Sequence, residues 1–123
     1  MTNTATETDL TPIVDAYIAS LQEQDAPARK ALVEQAWAPE ATLTDPLLYL
    51  RGHDELATFA PLLAEHYPGH SIRRTGDVDA HHNVFRFTWD MVNADGETVM
   101  HGIDVGIVAD DGRIAGLAGF FDQ

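Results

Sequence analysis

A chain of 123 residues, 45% of them apolar, has the length and make-up of one folded domain around a single core. Seven basic residues against twenty acidic give a net charge of −13, which repels phosphate backbones and anionic lipid, so neither nucleic acid nor a membrane surface is an expected partner. With no cysteine there is no disulfide framework, thiolate nucleophile or cysteine-based zinc site.

The polar opening "MTNTATETDL" lacks the basic and apolar parts of a signal peptide, and no apolar run is long enough to cross a bilayer, so a cytoplasmic protein is expected. Residues 1–10 are expected to be disordered or frayed, and 11–123 to form one domain. From Thr11 to about Gln24, Ile13, Val14, Tyr17, Ile18 and Leu21 recur at helical spacing, with Thr11 as N-cap and Pro12 in the first turn. Asp25 caps a second predicted helix, which has Pro27 in its first turn, buries Leu32, Val33, Ala36 and Trp37, and ends at Pro39. Ala41 to Thr44 reads as a short strand that delivers Asp45 just before a proline. A third helix follows Gly52, with Leu56, Phe59, Leu63 and Tyr67 along one side and a kink or split expected at Pro61.

After "YPGH" the period changes to two. Strands are predicted over residues 70–79, 82–92, 97–109 and 113 to about 121, joined by the turns "NADG" and "DDG". Connections this short give an antiparallel meander, and helices preceding it imply an α+β fold in which three N-terminal helices cover one face of a curved sheet. The outward set Val99, Ile103, Val105 and Ile107 is too apolar for a free surface, which points to a homodimer through the sheet.

Asp104 interrupts this pattern. Strand alternation puts it on one face with Met100, Gly102, Gly106 and Val108, so it points either into an uncharged cavity or to solvent as a surface charge. Glycine weakens a strand unless something must approach closely, and Gly102 and Gly106 therefore suggest space beside the carboxyl. Asp45 has two readings as well, a turn carboxylate bonding nearby N–H groups or a functional one. Tyr17 alone is an ordinary core aromatic.

Taken together and in order, "VDAYIASLQEQD", "WAPEATLTDP", "RGHDEL", "HGIDVGIV" and "DDGRIAGLAGFFD" resemble the NTF2-like superfamily, in its ketosteroid-isomerase and SnoaL-like branch, over about Thr11 to Gln123. The resemblance implies a cone-shaped α+β fold whose curved antiparallel sheet is mixed at its edge, no cofactor, a small apolar ligand of steroid, polyketide or terpenoid type, and pairing of two copies through the sheet. It places Tyr17 at the oxyanion-donating tyrosine, Asp45 at the general base and Asp104 at the protonated acid of an enzyme that moves a proton beside a carbonyl. An aldol-type cyclase and a non-catalytic ligand-binding or dimerisation module are the alternatives. This chain departs from the isomerase pattern in having Ala60 where a supporting tyrosine stands, and in a shorter loop "PLLYLRG".

Trp37, Phe59, Leu63, Tyr67 and Trp89 are candidate pocket residues, as are Leu117 and Phe121, with Met100, Gly102 and Gly106 beside Asp104. An epoxide-hydrolase arrangement of Arg86, Asp90 and Asp104 lacks a second inward aspartate, since Ala118 and Gly119 stand there. A dehydratase-like histidine pair fails because His101 lies opposite Asp104 by parity. His66 and His70 straddle Pro68 and Gly69, and His81 and His82 point opposite ways, so no metal site is expected. His53 is either a partner of Asp45 or a polar residue at a helix start, and Asp122 is expected to be exposed.

Overall fold

The computed structural model describes residues 9–122. Residues 1–8 of the expected frayed terminus lie outside that range, whereas Leu10 is buried in the core and directly precedes the first helix. That helix, α1 (Thr11–Ser20), has Pro12 in its first turn, where a missing N–H leaves no bond unmade. Thr11 is its first residue rather than its cap. α2 (Ala26–Ala36) is capped by Asp25, whose carboxylate accepts the Ala28 N–H at 3.0 Å.

Trp37 was expected on the stripe of the second helix, but it opens β1 (Trp37–Thr44) instead. Its extended backbone turns the chain straight into the strand, and the indole is still buried, against α1. A three-residue strand, β2 (Tyr49–Arg51), too short for alternation to reveal it, pairs back on β1. The third helix is split into α3 (Gly52–Leu56) and α4 (Phe59–His66). The break falls at Ala57 and Thr58, upstream of Pro61, which sits in the first turn of α4 where proline is tolerated.

β3 (Ser71–His81), β4 (Val84–Val92), β5 (Thr98–Val108) and β6 (Ile114–Phe121) form the antiparallel meander. In the β4–β5 turn, the Asn93 side chain accepts the N–H groups of Asp95 and Glu97, and Gly96 takes the positive φ of 84° that the reversal needs. The sheet order is β2-β1-β6-β5-β4-β3, with β1 parallel to β6 and every other pair antiparallel. Helices thus cover one face of a mixed sheet. Val14, Val33, Trp37, Leu43 and Ile114 lie between the layers with essentially no exposure. On the other face Val99, Val105, Ile107 and Phe120 are exposed and Ile103 is half-buried.

Candidate active site

Tyr17 projects from the inner face of α1 and is only 5% exposed. Its ring meets Trp37 edge-on, with centroids 5.3 Å apart at 87°, so packing fixes where the hydroxyl points. Asp45 follows the last residue of β1, and Pro46 then turns the chain. Its Oδ1 accepts the N–H groups of Leu47 at 2.8 Å and Leu48 at 3.0 Å. The turn reading of Asp45 is therefore correct as far as it goes, but only one carboxylate oxygen is committed to the turn, and the residue also borders the cavity.

Asp104 lies mid-strand in β5, opposite Phe87 of β4 and Gly119 of β6. It is 5% exposed, which settles its facing as inward. The Trp89 Nε1–H donates to its Oδ1 at 3.0 Å. Burial pushes the Asp104 carboxyl up to about 7; the Trp89 hydrogen bond opposes that rise, and the nearby Asp45 adds to it. Burial also raises the Tyr17 hydroxyl well above its usual value, with the Asp104 and Asp45 carboxyls adding to the effect. Tyr17 therefore remains a proton donor across the ordinary pH range.

All three residues line one cavity of about 240 Å³. Phe59, Leu63 and Tyr67 form its helical wall, and Trp89, Met100 and Phe121 its sheet wall. Other predicted lining residues are elsewhere. Trp37 and Leu117 are in the core beneath, 1% and 3% exposed. Gly102 and Gly106 provide space, but aromatic rings fill it: a Cβ on Gly102 would fall 2.0 Å from the Trp89 ring, and one on Gly106 2.4 Å from the Phe85 ring. The glycines seat rings, where cavity space was expected.

Sequence reasoning missed several lining residues. Leu47 and Leu48 follow the Asp–Pro turn in a stretch without periodicity; His66 and Leu62 come from the exposed side of α4; Gly119 carries no side chain to signal a role. A Cβ on Gly119 would lie 2.9 Å from Asp104 Oδ1 and 3.4 Å from Asp45 Cβ, so the absence of a side chain is what lets the two carboxyls share one site. The Trp89–Asp104 bond depends on the β4–β5 register, which makes the two residues diagonal neighbours with Gly102 opposite Trp89.

The competing constellations do not assemble. Arg86 pairs with Asp79 at 2.9 Å, and Asp90 is held by His101 at 2.7 Å and Arg73 at 3.5 Å, all on the opposite face from Asp104. Ala60, at the position of the missing support, is buried in the core. His53 bonds the Trp37 carbonyl through Nε2 at 2.8 Å and does not reach Asp45 as a partner. Among the described residues no three His, Cys, Asp or Glu side chains gather as metal ligands would. No helix there is long and apolar enough to cross a membrane.

The family model of the SnoaL-like domain matches residues 14–117. Among solved structures, a SnoaL-like family protein of Agrobacterium tumefaciens named as a candidate isomerase is 34% identical, with 91% of this chain and 96% of that chain covered and a TM-score of 0.84. An NTF2-like protein of unknown function from Exiguobacterium is 20% identical, with 90% and 98% covered and a TM-score of 0.70. A candidate SnoaL-like polyketide cyclase from Jannaschia is 14% identical, with 99% and 91% covered and a TM-score of 0.73. The last two likenesses establish the NTF2-like α+β cone alone. No curated protein matches the chain.

Proposed function

The chain belongs to the SnoaL-like family, and within it we propose a cofactor-independent enzyme that moves a proton at a carbon next to the carbonyl of a small apolar compound. Asp45 takes the proton. Tyr17 and the neutral form of Asp104 donate hydrogen bonds to the oxygen on which negative charge develops. The observation that carries this reading is the convergence of Tyr17, Asp45 and Asp104 on one cavity with otherwise mostly apolar walls, with burial holding the Asp104 carboxyl near 7. A neutral acid and a phenol, both shielded from water, stabilise an enolate far better than either could in solvent. The isomerase in the name of the 34% identical relative agrees with this chemistry.

At about 240 Å³ the cavity lies below the ~300–1,000 Å³ usual for drug-sized ligands, which favours a compact terpenoid- or polyketide-sized ketone over a steroid. An aldol-type cyclisation begins from the same enolate and is the second reading. The test is incubation in D₂O with cyclic ketones, β,γ-unsaturated ketones and β-keto esters, followed by mass spectrometry. Enzyme-dependent deuterium uptake at the α or γ carbon supports proton transfer. Saturable binding of such compounds with no exchange above the buffer rate would leave a binding module.

We also propose that two copies pair through the open sheet face. Val99, Val105, Ile107 and Phe120 present an apolar patch, and the charges beside it are already matched within the chain, Arg86 by Asp79 and Asp90 by Arg73, with His101 hydrogen-bonded to the same carboxylate. A second copy related by a two-fold axis would cover apolar surface without burying an unpaired charge.

A further inference from the structure

The cavity has two carboxyls, each with one oxygen already engaged. In Asp45, Oδ1 is held by the backbone N–H groups of Leu47 and Leu48; in Asp104, Oδ1 is held by the Trp89 indole. An indole N–H can only donate, so the oxygen it faces must accept. In a neutral carboxylic acid the carbonyl oxygen is the stronger acceptor, so a donor at one oxygen favours the proton on the other.

We propose that Trp89 is a positioning residue, which by donating to Oδ1 of Asp104 confines the acid proton to Oδ2 and aims that O–H at the ligand. This goes beyond the proposed function and rests on it for the acid's role, although the bond itself can be tested without turnover. Two glycines make the geometry possible. Gly102 lies directly under the indole, and any side chain there would lift the ring from its seat; Gly119 leaves room on the far side, where a Cβ would press on Oδ1 at 2.9 Å. Burial of Asp104 at 5% exposure keeps water from competing for Oδ1.

The donor has a second effect. Because an N–H bond favours the ionised carboxylate, it restrains the rise that burial imposes on Asp104. The groups facing Asp104 are Tyr17 from α1, Asp45 from the β1–β2 turn, and Trp89 from β4, with His66 of α4 lining the same cavity. Trp89 is the one that hydrogen-bonds the carboxyl.

The experiment is a titration of ¹³C,¹⁵N-labelled protein through neutral pH, following both indole N–H signals and the ¹³C carboxyl signal of Asp104. The Trp89 indole signal is expected to shift with a midpoint near 7 while that of Trp37 stays still, and Asp104→Asn should abolish the shift. Loss of a charge-assisted bond in Trp89→Phe should raise the Asp104 midpoint by about one pH unit or more. Gly102→Ala, which keeps the indole but displaces it, should raise it likewise. In folded Trp89→Phe, kcat should fall by roughly tenfold, with KM less affected. A Trp89 signal indifferent to Asp104, or an unmoved Asp104 midpoint in both variants, overturns the proposal. Should Trp89→Phe not fold, the wild-type indole signal and Gly102→Ala decide. If the midpoints shift as expected but wild-type protein exchanges no ketone protons, positioning stands and the proposed function falls.

Discussion

The Trp89 indole reaches diagonally across the sheet to Asp104: Trp89 is in register with Gly102 and Asp104 with Phe87, yet Nε1 of Trp89 lies 3.0 Å from Oδ1 of Asp104. The ring can lie flat along the strand only because Gly102 has no side chain beneath it. A buried acid with one donor, one free oxygen and a second carboxyl nearby is in the environment that holds a carboxyl near neutrality, and such groups cluster at functional sites.

The cost of that acid appears as pH-dependent stability. Asp104 rises from 3.8 to about 7 on folding, so between those values the native state holds a proton that the unfolded chain has lost. Its contribution is complete below pH 3.8 and falls as pH rises through 7, by about 1.4 kcal/mol per unit, or on the order of 4 kcal/mol in all. Asp104→Asn carries no such proton. Urea unfolding should find this variant gaining on wild type as pH rises from about 4 towards 7 and the difference levelling off above 7; a difference independent of pH would contradict the burial of an ionisable group here.

Gly106 is a purely structural counterpart. A Cβ there would meet the Phe85 ring at 2.4 Å and the Gly116 carbonyl at 2.9 Å, and the backbone cannot move aside as a side chain could. Gly106→Ala should cost about 1–3 kcal/mol, read as a lower urea midpoint with little change in slope, while the variant still titrates normally at Asp104.

What could be read in the sequence was set by how local each signal is. Alternation in "TVMHGIDVGIVA" groups Asp104 on one face with Met100, Gly102 and Gly106, and helical period puts Tyr17 on the apolar stripe of α1, because both depend on a few neighbouring residues; that the Asp104 face is buried rather than solvated comes from the assembled sheet. The parallel pairing of β1 with β6 and the three-residue β2 have no period of their own and emerge only once the sheet assembles. Gly102 and Gly106 were read as cavity because a missing side chain leaves space; whether a ring from the next strand fills it is a tertiary fact. Pro61 was a true breaker signal, displaced by one turn because proline belongs in the first turn of the helix it starts.

The donor pair should respond to chemistry more than to shape. Asn at 104 can still accept from Trp89 and donate from its amide, so Asp104→Asn should keep more activity than Asp104→Ala, which loses both. Tyr17→Phe keeps the edge-on contact with Trp37 and loses the hydroxyl, so it should lower kcat by about 10² or more with stability little changed. Steady-state kinetics in which Asn and Ala at 104 are equally damaging would contradict the donor role.

Assembly is tested at the open sheet face. Val105→Glu together with Ile107→Glu places like charges at the centre of the apolar patch, 43% and 48% exposed in the single chain. Sedimentation should show wild type as a dimer at micromolar concentration and the double variant as a folded monomer. A wild-type monomer would contradict the proposed pairing.

Asp45 as the base is the central claim, and Asp45→Asn tests it most directly. The amide oxygen can still accept the Leu47 and Leu48 N–H groups, so the turn and the fold should persist while the basic oxygen is gone. The measurement is enzyme-dependent exchange of the α proton of a ketone substrate into D₂O, compared between wild type and Asp45→Asn under saturating conditions. A drop by a factor on the order of 10² to 10⁴ with unchanged thermal stability is the predicted result. Exchange at the wild-type rate in the variant would contradict it, and Asp45 would then be a turn carboxylate that merely borders the cavity.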